Sequence, residues 1–217
     1  MRRSSHTLTK RFADNNTKWG ITVSLEIKTL VKDDLRAVIG DLAKLRISVF
    51  REWPYLYDGS VEYEENYLSR YVESDSCVLV AAIDQGRLVG AATAQPLKME
   101  TEEFRRPFEE KGIDISKVFY LAESVLEPDY RHHGIGHRFF DEREAFASRA
   151  GYKTATFCAV VRDVADPRKP EEYFSLEPFW QKRGYTKREG LMTTFPWKEL
   201  GEDKESDKPM QFWLHDF

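Results

Sequence analysis

The chain has 217 residues, with 33 basic against 37 acidic ones and a formal net charge of -4. At 41% hydrophobic and 13% aromatic it can bury a sizeable core, which excludes a disordered chain. The near-balanced charge gives no reason to expect nucleic acid as a partner, and without an apolar run of ~18 residues no membrane is expected either.

Residues 1–20 are basic and polar without helical periodicity, and read as a flexible tail before a single domain over 21–217. "ITVSLEIKTL" (21–30) alternates apolar and polar residues and predicts a strand. Leu35, Val38, Ile39, Leu42, Leu45 and Val49 then recur at helical spacing, with Asp33 or Asp34 at the start. "VEYEENYLSRYVES" predicts a shorter amphipathic helix. "CVLVAAID" and "RLVGAATAQPL" are strands joined by a short Gln85-Gly86 turn. Residues 98–117 form a long loop or a short helix, and "VFYLAESVLEP" is a strand stopped by Pro128. "HGIGHRFFDEREAFASRA" predicts a helix with Ile135, Phe139, Phe146 and Ala150 on one face. "YKTATFCAVV" is a strand, "SLEPFWQKR" a short helix ended by Gly184, and "YTKREGLMTTFPW" and "KPMQFWLHDF" are two last strands that can pair between subunits of a homodimer. This order predicts a mixed α/β layer fold. Cys77 and Cys158 each lie in an apolar run, as reduced core thiols of a cytoplasmic protein do, and no metal-ligand spacing appears.

"EPDYRHHGIGHR" (127–138) places two glycines, an arginine and two adjacent histidines where a strand turns into a helix. The first N–H groups of a helix lack intrahelical partners, its dipole is positive there, and glycine lets a ligand come close to the backbone. A phosphate cradle and a glycine-softened turn with solvent-facing histidines both fit. Gly136-His137-Arg138 is not the Gly-Lys-Ser/Thr ending of a nucleoside-triphosphate loop, and Phe139 stands where a dinucleotide fingerprint needs a small residue.

"RHHGIG" matches the Arg/Gln-x-x-Gly-x-Gly/Ala signature of the GNAT N-acetyltransferases, and the chain resembles that superfamily over roughly residues 20–200. "YLAESVLEPDYRHHGIG" is similar to the family's fourth strand and pyrophosphate loop, "LVGAATAQPL" to its third strand, and "PFWQKRGY" to its late helix and turn. The resemblance implies a mostly antiparallel sheet of about seven strands, V-splayed between strands 4 and 5 and flanked by about four helices. It implies acetyl-CoA as co-substrate, no metal, and an amine acceptor, either a small molecule or a peptide. Val125 and Leu126 would offer backbone groups to the pantetheine arm and the thioester carbonyl. Arg131, His132, His133, Gly134, Ile135, Gly136, His137 and Arg138 would hold the pyrophosphate. Glu123, on the strand lining the gap, is the expected base. Trp180 stands where many members carry a tyrosine acid, and Tyr173 and Tyr185 are out of register with it. The missing tyrosine leaves room for a second reading, a non-catalytic acyl-CoA-binding or regulatory module. A third reading is a nucleotide-phosphate binder. On the acceptor side, Trp53, Tyr55 and Tyr57 are expected to form an aromatic wall, and Glu52, Asp58, Glu62, Glu64 and Glu65 to attract a cation.

Overall fold

A computed structural model describes residues 10–11, 25–31, 33–73 and 76–217. Its first half contains β1 (Lys10–Arg11), β2 (Leu25–Leu30), α1 (Asp33–Arg36), α2 (Ile39–Phe50), α3 (Val61–Glu73), β3 (Val78–Asp84), β4 (Arg87–Pro96) and α4 (Glu102–Glu110). The second half adds β5 (Val118–Tyr120), β6 (Ser124–Leu126), α5 (Ile135–Arg149), β7 (Thr154–Val160), α6 (Glu177–Lys182), β8 (Thr186–Trp197) and β9 (Ser206–Asp216).

β3 and β4 form the hairpin at the centre of the sheet. Gln85 and Gly86 both take positive φ (49° and 81°), the two-residue turn whose twist matches the flanking strands. β4 is buried from Leu88 to Pro96, which explains its unbroken apolar run: helices cover both of its faces. The sheet runs β1-β2-β3-β4-β5-β7-β9-β8, with β6 also on β4, and every pairing is antiparallel except β5 with β7.

The expected mixed, mostly antiparallel fold is therefore present, with nine strands and six helices among the described residues. Two of the extra strands arise because the fourth strand of the reading is split into β5 and β6, and because Lys10–Arg11, inside the expected tail, pair with Ile27 and Glu26 of β2. The rest of residues 1–20 and Ile21–Ser24 lie outside the described residues. The helix expected from Asp33 breaks in two, α1 and α2, at a turn around Ala37 and Val38. Among the described residues no helix is long and apolar enough to cross a membrane.

The split has a geometrical cause. β4 pairs through Ala92–Ser124 on one side and Gln95–Tyr120 on the other. The two residues between, Thr93 and Ala94, face three, Leu121, Ala122 and Glu123, so one residue is extra and the strand bulges. Side chains alternate sides along a strand, and a bulge breaks the alternation. Tyr120 packs on the α2/α4 side and Leu121 on the α5 side, but Ala122 and Glu123 then face α2 together. Without the bulge Glu123 would point among the phenylalanines of α5.

α5 shows where periodicity misled. Its buried stripe is Ile135, Phe139, Phe140, Arg143 and Ala147, whereas Phe146 is half-buried and Ala150 exposed. An arginine occupies the middle of the stripe, which turns the buried face away from the one that apolar residues alone define.

Candidate active site

β5 and β7 pair in parallel at three positions only, Val118–Thr154, Phe119–Ala155 and Tyr120–Thr156. The Leu121 N–H donates one last bond to the Thr156 carbonyl at 2.7 Å. β7 then stays with β9 to Val160, while β6 stays with β4. The strands part at the bulge and leave a wedge with a backbone edge on each side, the side on which Val125 and Leu126 were expected to serve.

At the wide end of the wedge the chain turns through Pro128–Tyr130 into α5. His132 and Gly134 both take positive φ (65° and 77°), and Gly134 caps the helix without a side-chain bond. The first intrahelical bond runs from the Arg138 N–H to the Gly134 carbonyl (3.2 Å), so the N–H groups of Ile135, Gly136 and His137 precede it. A side chain built on Gly134 would meet nothing within 4 Å, and one on Gly136 only the Phe179 ring at 3.7 Å. The cradle is open, and its glycines are not needed to relieve crowding within the protein. His132 and His133 are exposed beside it. The set fits a diphosphate in donor number, charge and space.

Two basic residues of the loop are occupied differently from the sequence expectation. Arg131 reaches back to the Leu126 carbonyl (3.1 Å) and forms a forked pair with Glu52 (2.8 and 3.1 Å), bridging the loop to the end of α2. Arg138 bonds Glu142 one turn along the helix (2.8 Å). His137 sits against the Phe179 ring and Arg183, tying the helix mouth to α6.

At the narrow end lies a cavity of about 100 Å³ between the sheet and α2, α3 and α4. Its walls are aromatic: Phe50, Tyr55, Tyr57, Tyr67, Phe104, Tyr120 and Trp197. At its charged end Arg46, buried, donates to Glu64 through Nε and to Glu123 through a terminal nitrogen (2.8 Å). The guanidinium is also covered by the rings of Phe50 (5.0 Å) and Tyr67 (4.7 Å). Glu123 is 7% exposed, and its Oε1 is buried without a hydrogen-bond partner among the described residues. Burial first, and Glu64 second, push the Tyr57 phenol well above its ordinary range, so it stays neutral.

The acidic wall expected on this side mostly dissolves. Glu52 is paired with Arg131, Asp58 with Arg51 and Lys198, and Glu62 and Glu65 are exposed. Only Glu64 reaches the cavity. Of the expected aromatic wall, Tyr55 and Tyr57 line it, whereas Trp53 packs outside it, edge-on to Tyr173 and beneath Arg162.

Sequence reasoning missed Arg143. It is 1% exposed and donates to the carbonyls of Phe139 (3.0 Å), Thr93 (3.1 Å) and Glu123 (3.0 Å) and to the Ser124 hydroxyl (2.8 Å). Burial pulls its pKa down to about 10, so it remains a cation at neutral pH. Its bonds join α5, β4 and the bulge at the point where the strands part. A charged residue in the third turn of a helix gives no local sign of this; only its place on the buried stripe does.

A model of the acetyltransferase (GNAT) family matches residues 43–170, more than half of the chain. The protein belongs to the GNAT acetyltransferase family. No curated protein sequence matches it. Among solved structures it is similar to a proposed acetyltransferase from Acinetobacter baylyi ADP1 (13% identity, 90% of this chain and 93% of that one covered, TM-score 0.60). It is also similar to the PaiA N-acetyltransferase from Thermoplasma acidophilum, solved with coenzyme A (16%, 89% and 99%, 0.52). A third is the ribosomal-protein-alanine N-acetyltransferase from Brucella melitensis (14%, 88% and 99%, 0.56). At these identities the likeness extends to the fold, and the acetyltransferase activity follows from the family.

Two residues of the acetyltransferase take the roles of packing groups. Cys158 lies beside the Tyr120 hydroxyl (3.2 Å), and burial pushes its thiol up to about 12, out of reach as a nucleophile at neutral pH. Trp180 packs on Phe157 (4.9 Å between centroids) and Trp213 (5.3 Å). Tyr185 is held by its hydroxyl on Glu144 (2.9 Å), and neither it nor Tyr173 lines the cavity.

Proposed function

We propose that the protein moves the acetyl group of acetyl-CoA directly to the nitrogen of an amine, both substrates being held together in the wedge. The N–H groups of Ile135, Gly136 and His137, with His132 and His133 beside them, hold the diphosphate. The open edges of β6 and β7 bind the amide-bearing arm as a partial strand would be bound. That places the thioester carbonyl beside the bulge, where a backbone N–H near Leu126 stabilises the oxygen as it gains charge.

An amine near pKa 10 arrives mostly protonated. Glu123 accepts that proton through Oε1, directly or across one water, and the freed nitrogen attacks the carbonyl carbon. The C–N bond forms, the C–S bond breaks, and the thiolate, ordinarily near pKa 8.5, leaves and takes up, through solvent, the second proton that the nitrogen gives up on becoming an amide, while Glu123 returns its proton to solvent. Arg46 positions Glu123 through the ion pair at its other oxygen. Rate enhancement then comes mostly from holding both reactants in line, without a covalent enzyme intermediate.

The observation that carries this reading is the unpartnered, buried Oε1 of Glu123, a residue that lines an aromatic cavity where the strands part. Release of free thiol from acetyl-CoA on adding amines tests it. Release that needs amine, and falls in Glu123→Gln with cofactor affinity unchanged, supports the reading. Tight cofactor binding with no release under any amine would instead favour the acyl-CoA-binding module suggested by Trp180.

A further inference from the structure

We infer that the acceptor is a small monoamine, one primary amino group on a compact apolar body no bulkier than a benzene ring. This rests on the transfer reading above and narrows it.

Charge is the first reason. Two carboxylates, Glu64 and Glu123, share one guanidinium, Arg46, which leaves a single net negative charge at the cavity's end. Arg46 already faces both carboxylates through Nε and one terminal nitrogen and lies against two rings, so an anionic substrate would compete with Glu64 and Glu123 for it. One ammonium meeting Glu123 Oε1 neutralises the site. A second cation in the same molecule would be stripped of water with no carboxylate left to meet it. A carboxylate on the substrate would face Glu64 and Glu123.

The walls are the second reason. Around that one charged end the lining is rings, whose faces suit an ammonium where it enters and hydrocarbon beyond. A peptide would bring amide groups, and several tyrosine hydroxyls of these walls are already engaged, Tyr67 with Tyr71, Tyr120 with Cys158 and Tyr57 with Glu64. Size is the third reason. An apolar cavity of roughly 150 Å³ accepts benzene, and this one measures about 100 Å³, so four to six carbons fill it.

The test is a kcat/KM comparison with the full chain at saturating acetyl-CoA, read as free thiol. One arm holds isobutylamine, isoamylamine, cyclopentylamine and n-hexylamine; the other holds spermidine, phenylalanine, an aminoglycoside and an alanine-ended peptide. The apolar monoamines should lead by about 100-fold, with kcat/KM rising roughly 10-fold per added methylene until the cavity is full. Met210→Ala, which removes part of the lining, should move the optimum to amines one or two carbons larger, with calorimetry on coenzyme A as a check that the cofactor site is intact. If spermidine, the peptide or the aminoglycoside matches the monoamines, the inference is wrong while acetyl transfer to amines stands. If coenzyme A binds but no amine in either arm releases thiol, both fall together.

Discussion

The two ends of the wedge are built in opposite ways. The cradle at the mouth of α5 comes from eight consecutive residues, 131–138, and its properties are local: glycine φ, N–H groups without partners, a helix dipole. The cavity at the other end draws on α2, α3, α4, β5, β8 and the 51–57 loop, and no two of its charged groups are closer than 18 positions in sequence. A cofactor site can be written in one loop because the cofactor is always the same anion. On the reading proposed above, the acceptor side is instead shaped by many elements at once.

That contrast breaks if damage at one end spreads to the other. The largest effect is expected at the cradle, where Gly136→Asp sets a carboxylate against the diphosphate. Calorimetry should show acetyl-CoA affinity down by about 10³-fold or more, with the fold kept, as judged by the far-UV spectrum. Next is Glu123→Gln, which keeps the shape of the Arg46 contact but cannot take a proton. Its kcat should drop by about 100-fold or more with the KM for acetyl-CoA unchanged. An equal fall in cofactor affinity would mean the two ends do not act separately.

Arg143 is the residue that joins them. Arg143→Met leaves three carbonyls and a hydroxyl without their donor, and urea unfolding should report a loss of about 3 kcal/mol. Arg143→Lys should recover part of the stability but less of kcat, because one ammonium cannot span the same carbonyls. A Lys variant with full rate would reduce Arg143 to a packing role.

Smaller effects sharpen the boundary of the site. Cys158 has a folded-state pKa of about 12 against an ordinary 9.0. A raised pKa favours folding wherever the thiol is neutral in both states, so that contribution is complete below pH 9 and lost as pH climbs toward 12. Iodoacetamide at about pH 8 should therefore leave the folded protein unalkylated, and Cys158→Ala should keep the rate. Smallest of all, Trp180→Phe should alter kcat by no more than about twofold, since an indole N–H is no acid to lose.

Much of the architecture was legible from local pattern. The β3–β4 hairpin, the α5 mouth and the last two strands follow from turn chemistry and alternation acting within a few residues. The bulge at Leu121–Glu123 was not, because "YLAESVL" alternates well enough to pass for one strand, and only the partner strand reveals the extra residue. It decides which face Glu123 occupies, so the candidate base was nameable from sequence while its environment was not. Arg46 and Arg143 were hidden for a common reason: a charged residue on a helix is usually solvated, and nothing nearby in the chain announces that its partners arrive from other elements. The acidic residues of 52–65 misled in the reverse way, since their neutralising partners, Arg131, Arg51 and Lys198, are distant in sequence.

The brief parallel contact between β5 and β7 also bears on how this protein behaves among its neighbours. A bare strand edge at a surface invites foreign chains to lengthen the sheet, a common start of aggregation. Here the bare edges of β6 and β7 begin at a shared vertex and lie between helical layers. The same divergence of two strands thus sets these two edges against a shared vertex rather than along the rim of the sheet.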